Sequence, residues 1–115
     1  MIRDEAACPI AISSEEWRIV RSLLKRYVPE CTVWAFGSRT KRSFRAYSDL
    51  DLVIIGEGPI GIARMAELAE AFSESDLPWK VDLLDWAEAS DSFRGILEKE
   101  KVVLQEKGKP TLSTP

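Results

Sequence analysis

The sequence predicts an α/β or α+β domain built on a single sheet, and three observations predict it. Segments with apolar residues at steps of three and four alternate along the chain with short β-branched or aromatic runs. Breaks fall between them, at Pro29, Gly37-Ser38, the glycine-rich stretch 56–61 and Pro78. There is no internal repeat, so one layered core accounts for the chain. At 115 residues it fits one domain with no room for a second. We expect the domain to run over residues 1–107, with 108–115 a disordered tail.

Residues 1–12 read as a weakly structured lead-in. Ser13 and Glu16 then form a capping box, which satisfies orphan amide donors at a helix start. Trp17, Val20, Leu24 and Tyr27 recur at helical spacing, predicting a helix over 14–27 that ends before Pro29. Thr32–Phe36 (TVWAF) predicts a strand, and residues 39–48 a basic, polar turn and loop. Leu50–Ile55 (LDLVII) predicts a second strand, apolar enough to lie centrally in the sheet. Ile62, Met65, Leu68, Ala69 and Phe72 predict a helix to about Ser73. Trp79–Leu84 (WKVDLL) predicts a third strand, 91–100 a short helix and 102–104 a final strand. Trp17, Trp34, Trp79 and Trp86 are most simply core or interface residues, because aromatic side chains carry much packing area.

Composition closes off several classes. Net charge is −3 and the pI about 5.1, whereas a sequence-independent nucleic-acid binder draws most of its affinity from basic residues. Nucleic acid is therefore not the expected partner. The chain has no histidine, and Cys8 and Cys31 lack zinc-site spacing, so zinc sites and histidine bases are excluded. No apolar run reaches the roughly 18–20 residues that span a membrane. The first residues also lack a signal-peptide apolar core, so a cytoplasmic location is the expectation.

The chemistry is concentrated in AFGSRTKRSFRAYSDLDLVII. It contains G-S-x(10)-D-x-D, filled by Gly37, Ser38, Asp49 and Asp51. At average residue usage this match arises by chance in roughly one chain of this length in a thousand, so it outweighs the solvated-turn reading of an isolated Asp-x-Asp. Alternate side chains on a strand share a face, so Asp49 and Asp51 project together. Two carboxylates held that close repel each other, and a divalent cation relieves the repulsion. Oxygen-only ligands suit Mg²⁺ or Mn²⁺. Asp82 lies in the next strand between Val81 and Leu83. Beside the first pair it would let three carboxylates hold two metals, which stabilise the attacking and leaving oxygens of an in-line displacement. Asp85, three residues on, points to the opposite face and reads as a cap or turn residue.

Gly37 and Ser38 suit the nucleotide's phosphates: glycine permits close backbone approach, turn amides face anions, and the hydroxyl adds a donor. Arg39, Lys41, Arg42 and Arg45 follow. A charge run is commonly a solvated face; Arg39, beside the turn, is the best placed to steady a triphosphate.

These residues resemble the polymerase-beta-like nucleotidyltransferases, specifically the small MNT-domain members. The resemblance spans about Thr32 to Leu104 and rests on the Gly-Ser turn, its ten-residue spacer, S-D-L-D-L-V at Ser48–Val53 and V-D-L at Val81–Leu83. It implies a mixed sheet flanked by helices. It also implies that Asp49 and Asp51 bind both metals, and that Asp82 helps bind the catalytic metal and activates the acceptor hydroxyl. The expected reaction is transfer of a nucleoside monophosphate, AMP foremost, from ATP or another nucleoside triphosphate to a hydroxyl. The chain lacks the further domains that grip the acceptor in larger relatives, so the acceptor is expected on another chain or a second copy. Small members look like the antitoxins of MNT–HEPN pairs, which implies a tyrosine of a HEPN ribonuclease toxin as acceptor and a homo- or hetero-oligomer. Two alternatives stay open at this point: a binding module that neutralises its partner by contact, and a stand-alone enzyme modifying a small molecule. A phosphoacceptor receiver domain fits less well, lacking the Gly-Ser spacer.

Overall fold

The computed structural model describes residues 10–37 and 49–106. In chain order the elements are α1 (Ser14–Tyr27), β1 (Thr32–Phe36), β2 (Leu50–Ile55), α2 (Ile62–Ser73) and β3 (Val81–Asp85), then a 3₁₀ turn (Trp86–Glu88), α3 (Asp91–Glu100) and β4 (Val102–Gln105). The four strands form one sheet in the order β3-β2-β1-β4. β1 pairs antiparallel with β2 and β4, and β2 pairs parallel with β3, so the sheet is mixed. The parallel pair requires the β2–α2–β3 crossover, since a tight hairpin cannot join parallel strands.

Local chemistry sets the element ends. The Ser13 hydroxyl accepts from the Glu16 amide at 3.1 Å, and the Ser13 amide donates to Glu16 Oε1 at 2.9 Å, closing the capping box of α1. Glu15 and Glu16 sit in its first turn and Lys25 and Arg26 in its last, which complements the helix dipole. α2 has no such side-chain cap and starts after Gly61, whose φ of 96° suits glycine. The buried Asp85 carboxylate takes over the task from a distance, accepting from the Ile60 amide at 2.8 Å and the Gly61 amide at 3.4 Å. It also accepts from Ala87 and so caps the 3₁₀ turn, which is the cap role read from the sequence.

Strand alternation splits the apolar residues into two clusters, one per sheet face. The larger gathers Val33, Ala35, Leu50, Leu52 and Ile54 of the sheet beneath Trp17, Val20, Leu24, Leu68 and Phe72 of α1 and α2. The smaller holds Trp34 and Val53 against Leu97 of α3, with Phe36, Ile55, Leu84, Trp86 and Phe93 half-buried around them. Burying each large aliphatic on the first face is worth about 1.5–3 kcal/mol, and that face anchors the fold.

Three expectations need correction. β3 begins at Val81 and not Trp79, because it pairs only with β2, and β2 offers its first partner at Leu50. Trp79 is buried but lies outside the ladder. Ile62 is 90% exposed and Ala69 is also exposed, since the buried stripe of α2 runs through Leu68 and Phe72 with Met65 half-buried. Ile10 belongs to the core and not to a loose lead-in. The 3₁₀ turn after β3 was not anticipated. The expected tail at 108–115 lies outside the described residues, as do Cys8 and the basic loop 39–48.

Candidate active site

The predicted acids come together at one end of β2, on the face covered by α3. Asp51 is the register partner of Asp82 in β3 and of Phe36 in β1. Register partners share a face and stand about 5 Å apart, so Phe36, Asp51 and Asp82 form one row across the sheet. The next row holds Trp34, Val53 and Leu84. Asp49 precedes β2 at the alternation step of Asp51. Asp49 and Asp51 are half-buried and Asp82 is exposed.

Gly37 closes the site on the β1 side. Its φ is 83°, and a Cβ there would collide with Oδ2 of Asp51 and stand 3.3 Å from its Cγ. Only glycine lets the chain turn away from β1 while touching that carboxylate. The other two predicted nucleotide contacts, Ser38 and Arg39, lie outside the described residues, together with Lys41, Arg42 and Arg45.

The electrostatics match the geometry. Burial pushes the Asp51 carboxyl above its ordinary range, and the negative charges of Asp82 and Asp49 push it further. Among the described residues no cation pairs with any of the three. None of them forms, with other acidic, cysteine or histidine side chains, a group of three or more that could hold a metal ion by itself. The expectation of three converging carboxylates therefore reduces to a register pair with Asp49 near it. That set still fits Mg²⁺: the donors are hard oxygens, no described cation neutralises them, and Mg²⁺ is ordinarily held by one or two carboxylates plus substrate phosphates.

Two features were missed from the sequence. Phe93 of α3 meets Phe36 edge-on, with ring centroids 6.0 Å apart and planes at 83°. Arg94 places its guanidinium 4.8 Å from the Trp86 ring centroid and donates to the Trp86 carbonyl at 2.8 and 3.2 Å. The sequence predicts only a short helix over 91–100 there, and helical spacing does not say which strand such a helix covers. A cavity of about 340 Å³ lies at the other end of the sheet, between Glu30, Cys31, Arg64 and the 56–60 loop, and none of the three acids lines it.

The chain is 58% identical over 98 residues to a probable protein adenylyltransferase MntA of Haemophilus influenzae, covering 85% of this chain and 86% of that one. Its fold matches a chain of a toxin–antitoxin crystallised with AMP-PNP, with a TM-score of 0.68 at 22% identity, covering 81% of this chain and 75% of that one. It also matches a chain of a tri-AMPylated Shewanella oneidensis HEPN toxin in complex with MNT antitoxin, with a TM-score of 0.61 at 22% identity over 81% and 71% of the two chains. The model of the polymerase beta nucleotidyltransferase family matches residues 20–109. By that match and by its identity to the Haemophilus relative, the chain belongs to the polymerase beta nucleotidyltransferase family.

Proposed function

We propose that this nucleotidyltransferase transfers AMP from Mg²⁺-bound ATP to a tyrosine hydroxyl of a HEPN-type ribonuclease, and thereby acts as that toxin's antitoxin in the cytoplasm. The observation that carries the reading is the row in which Asp51 and Asp82 stand in register, with Gly37 packed on the Asp51 carboxylate. The protein acceptor and the adenylyl group are supported by the name of the Haemophilus relative.

Asp49, Asp51 and Asp82, together with the nucleotide's own phosphates, would hold two divalent ions, which when bound would draw charge from the transferring phosphate and neutralise the departing pyrophosphate. The remaining work belongs to the chain itself. Gly37 lets the backbone come close to the triphosphate, where the Ser38 hydroxyl and the Arg39 guanidinium add donors. Asp82, exposed beside Asp51, accepts the proton of the acceptor hydroxyl. The acceptor oxygen then bonds to the α-phosphorus, the bond from that phosphorus to the bridging oxygen breaks, and pyrophosphate leaves with the electron pair. Positioning and electrostatics supply most of the acceleration, as in phosphoryl transfer generally.

The test is incubation with ATP, Mg²⁺ and a HEPN-type ribonuclease, followed by intact mass of both proteins. A gain of one or more AMP units on the partner is expected, lost in Asp49→Asn/Asp51→Asn and on mutation of the modified tyrosine. Partner inhibition that survives unchanged in the double variant would replace catalysis by contact as the mode of action.

A further inference from the structure

The row of side chains through Asp51 begins with an aromatic ring. Phe36 is the last residue of β1 and sits directly across from Asp51. The next residue, Gly37, turns at φ 83° against the Asp51 carboxylate with no room to spare. Any shift of the β1 end therefore moves the turn relative to the acid.

What holds that end on the α3 side is Phe93, through its edge-on contact with Phe36. α3 itself is lightly seated: Leu97 is its one fully buried residue, and Arg94 ties it to the Trp86 carbonyl. Leu97 packs in the cluster with Trp34 and Val53, one row away from the acids. An edge-to-face aromatic pair differs from an aliphatic contact of similar area because it fixes ring orientation as well as separation.

We infer that Phe93 is a positioning residue for nucleotidyl transfer: through Phe36 it keeps the Gly37 turn seated against Asp51, and so sets the grip on the nucleotide's phosphates. This rests on the nucleotidyl-transfer reading above. It separates two roles within α3, with Leu97 anchoring the helix and Phe93 aligning the site.

The experiment compares the full chain with Phe93→Leu, Phe36→Leu, the double variant and Leu97→Ala. Two quantities are measured: Kd for the non-hydrolysable analogue AMP-CPP with Mg²⁺, and hydrogen exchange over residues 36–37 without nucleotide. Each Phe→Leu variant keeps an apolar side chain, and is expected to weaken AMP-CPP about three- to tenfold. The double variant should be no weaker than the worse single one, because both remove one contact. Exchange at the Gly37 amide should quicken in all three. Leu97→Ala should lower Tm while leaving Kd unchanged. The inference is overturned if Phe93→Leu binds as the parent does, if Leu97→Ala weakens binding equally, or if the two Phe effects add. Should the parent chain bind no nucleotide, the proposed function falls. Exchange then still decides the coupling: quickened exchange at Gly37 in Phe93→Leu upholds it, and unchanged exchange overturns it.

Discussion

Leu52 and Asp51 are neighbours in β2, yet Leu52 is fully shielded beneath α1 and α2 while Asp51 stands half-open beside Asp82. The same division runs across the whole sheet. One face is aliphatic, sealed by two helices, and contains Leu50, Leu52, Ile54 and Val33 with no exposure at all. The other is aromatic, covered among the described residues by one short helix, and holds half-buried Asp49 and Asp51 and exposed Asp82 at one end. Asp82 and Asp85 repeat the contrast in β3. Asp82 is exposed with a like charge for a neighbour, whereas Asp85 is buried with three amides donating to it. Stability is concentrated on one face, which frees the other to hold mutually repelling groups that oppose folding.

Substitutions on the two faces should therefore separate activity from stability. The largest effect expected is in Asp51→Asn, which should lower nucleotidyl transfer about 10³-fold or more, roughly 4 kcal/mol of transition-state stabilisation. The same change should raise Tm at neutral pH. The sign follows from linkage: a carboxyl whose folded pKa is raised makes folding less favourable once it ionises, and relieves the protein as pH falls back through the carboxylate range. A lowered Tm for Asp51→Asn, measured without metal, would break the comparison.

Leu52→Ala should do the reverse. It costs about 3 kcal/mol of stability by leaving a cavity under two helices, measured by urea denaturation. Activity per folded molecule should hold. Gly37→Ala comes next, on the acid face. Its methyl would displace the Asp51 carboxylate from a turn already at positive φ, with a loss of about 10²-fold in activity, or near 2.7 kcal/mol.

The smallest effect belongs to Arg64→Ala. Arg64 donates to the Tyr27 carbonyl and to Glu30, and bridges Glu30 Oε2 at 2.6 Å, tying α2 to the end of α1. Its guanidinium holds the Glu30 carboxyl at about 2, against an ordinary 4.5. Because the pair is largely exposed, the loss should be only about 1 kcal/mol. A depressed carboxylate stabilises fully above pH 4.5, and that contribution disappears as pH falls toward 2. Without Arg64, an NMR titration should move Glu30 back up toward its ordinary range, and the acid dependence of stability between those values should weaken.

Much of this division is legible in the residues. The capping box at Ser13 and Glu16 places α1 to the residue, because both halves of the motif are local. The x-Asp-x-Asp alternation separates Leu50 and Leu52 from Asp49 and Asp51, and the opposite faces of Asp82 and Asp85 follow from the same period of two. Contacts across elements are another matter. Nothing local reveals that β3 lacks a partner before Val81, so Trp79 reads as strand. Nor do the apolar residues of α2 say which of two overlapping faces is buried, the one through Ile62, Met65 and Ala69 or the one through Met65, Leu68 and Phe72. Phe93 and Phe36 are 57 positions apart, and their contact emerges only when α3 is laid on the sheet. The placement of Ser38 and Arg39 remains an expectation from the motif.

Among the described residues β3 is the outermost strand on its side, and it carries Asp82 on an exposed position. An approach from that flank meets Asp82 before Asp51, which lies one strand further in and is half-buried. Of the two register partners, Asp82 is thus the carboxylate an incoming group can touch, and Asp51 the one the fold keeps back.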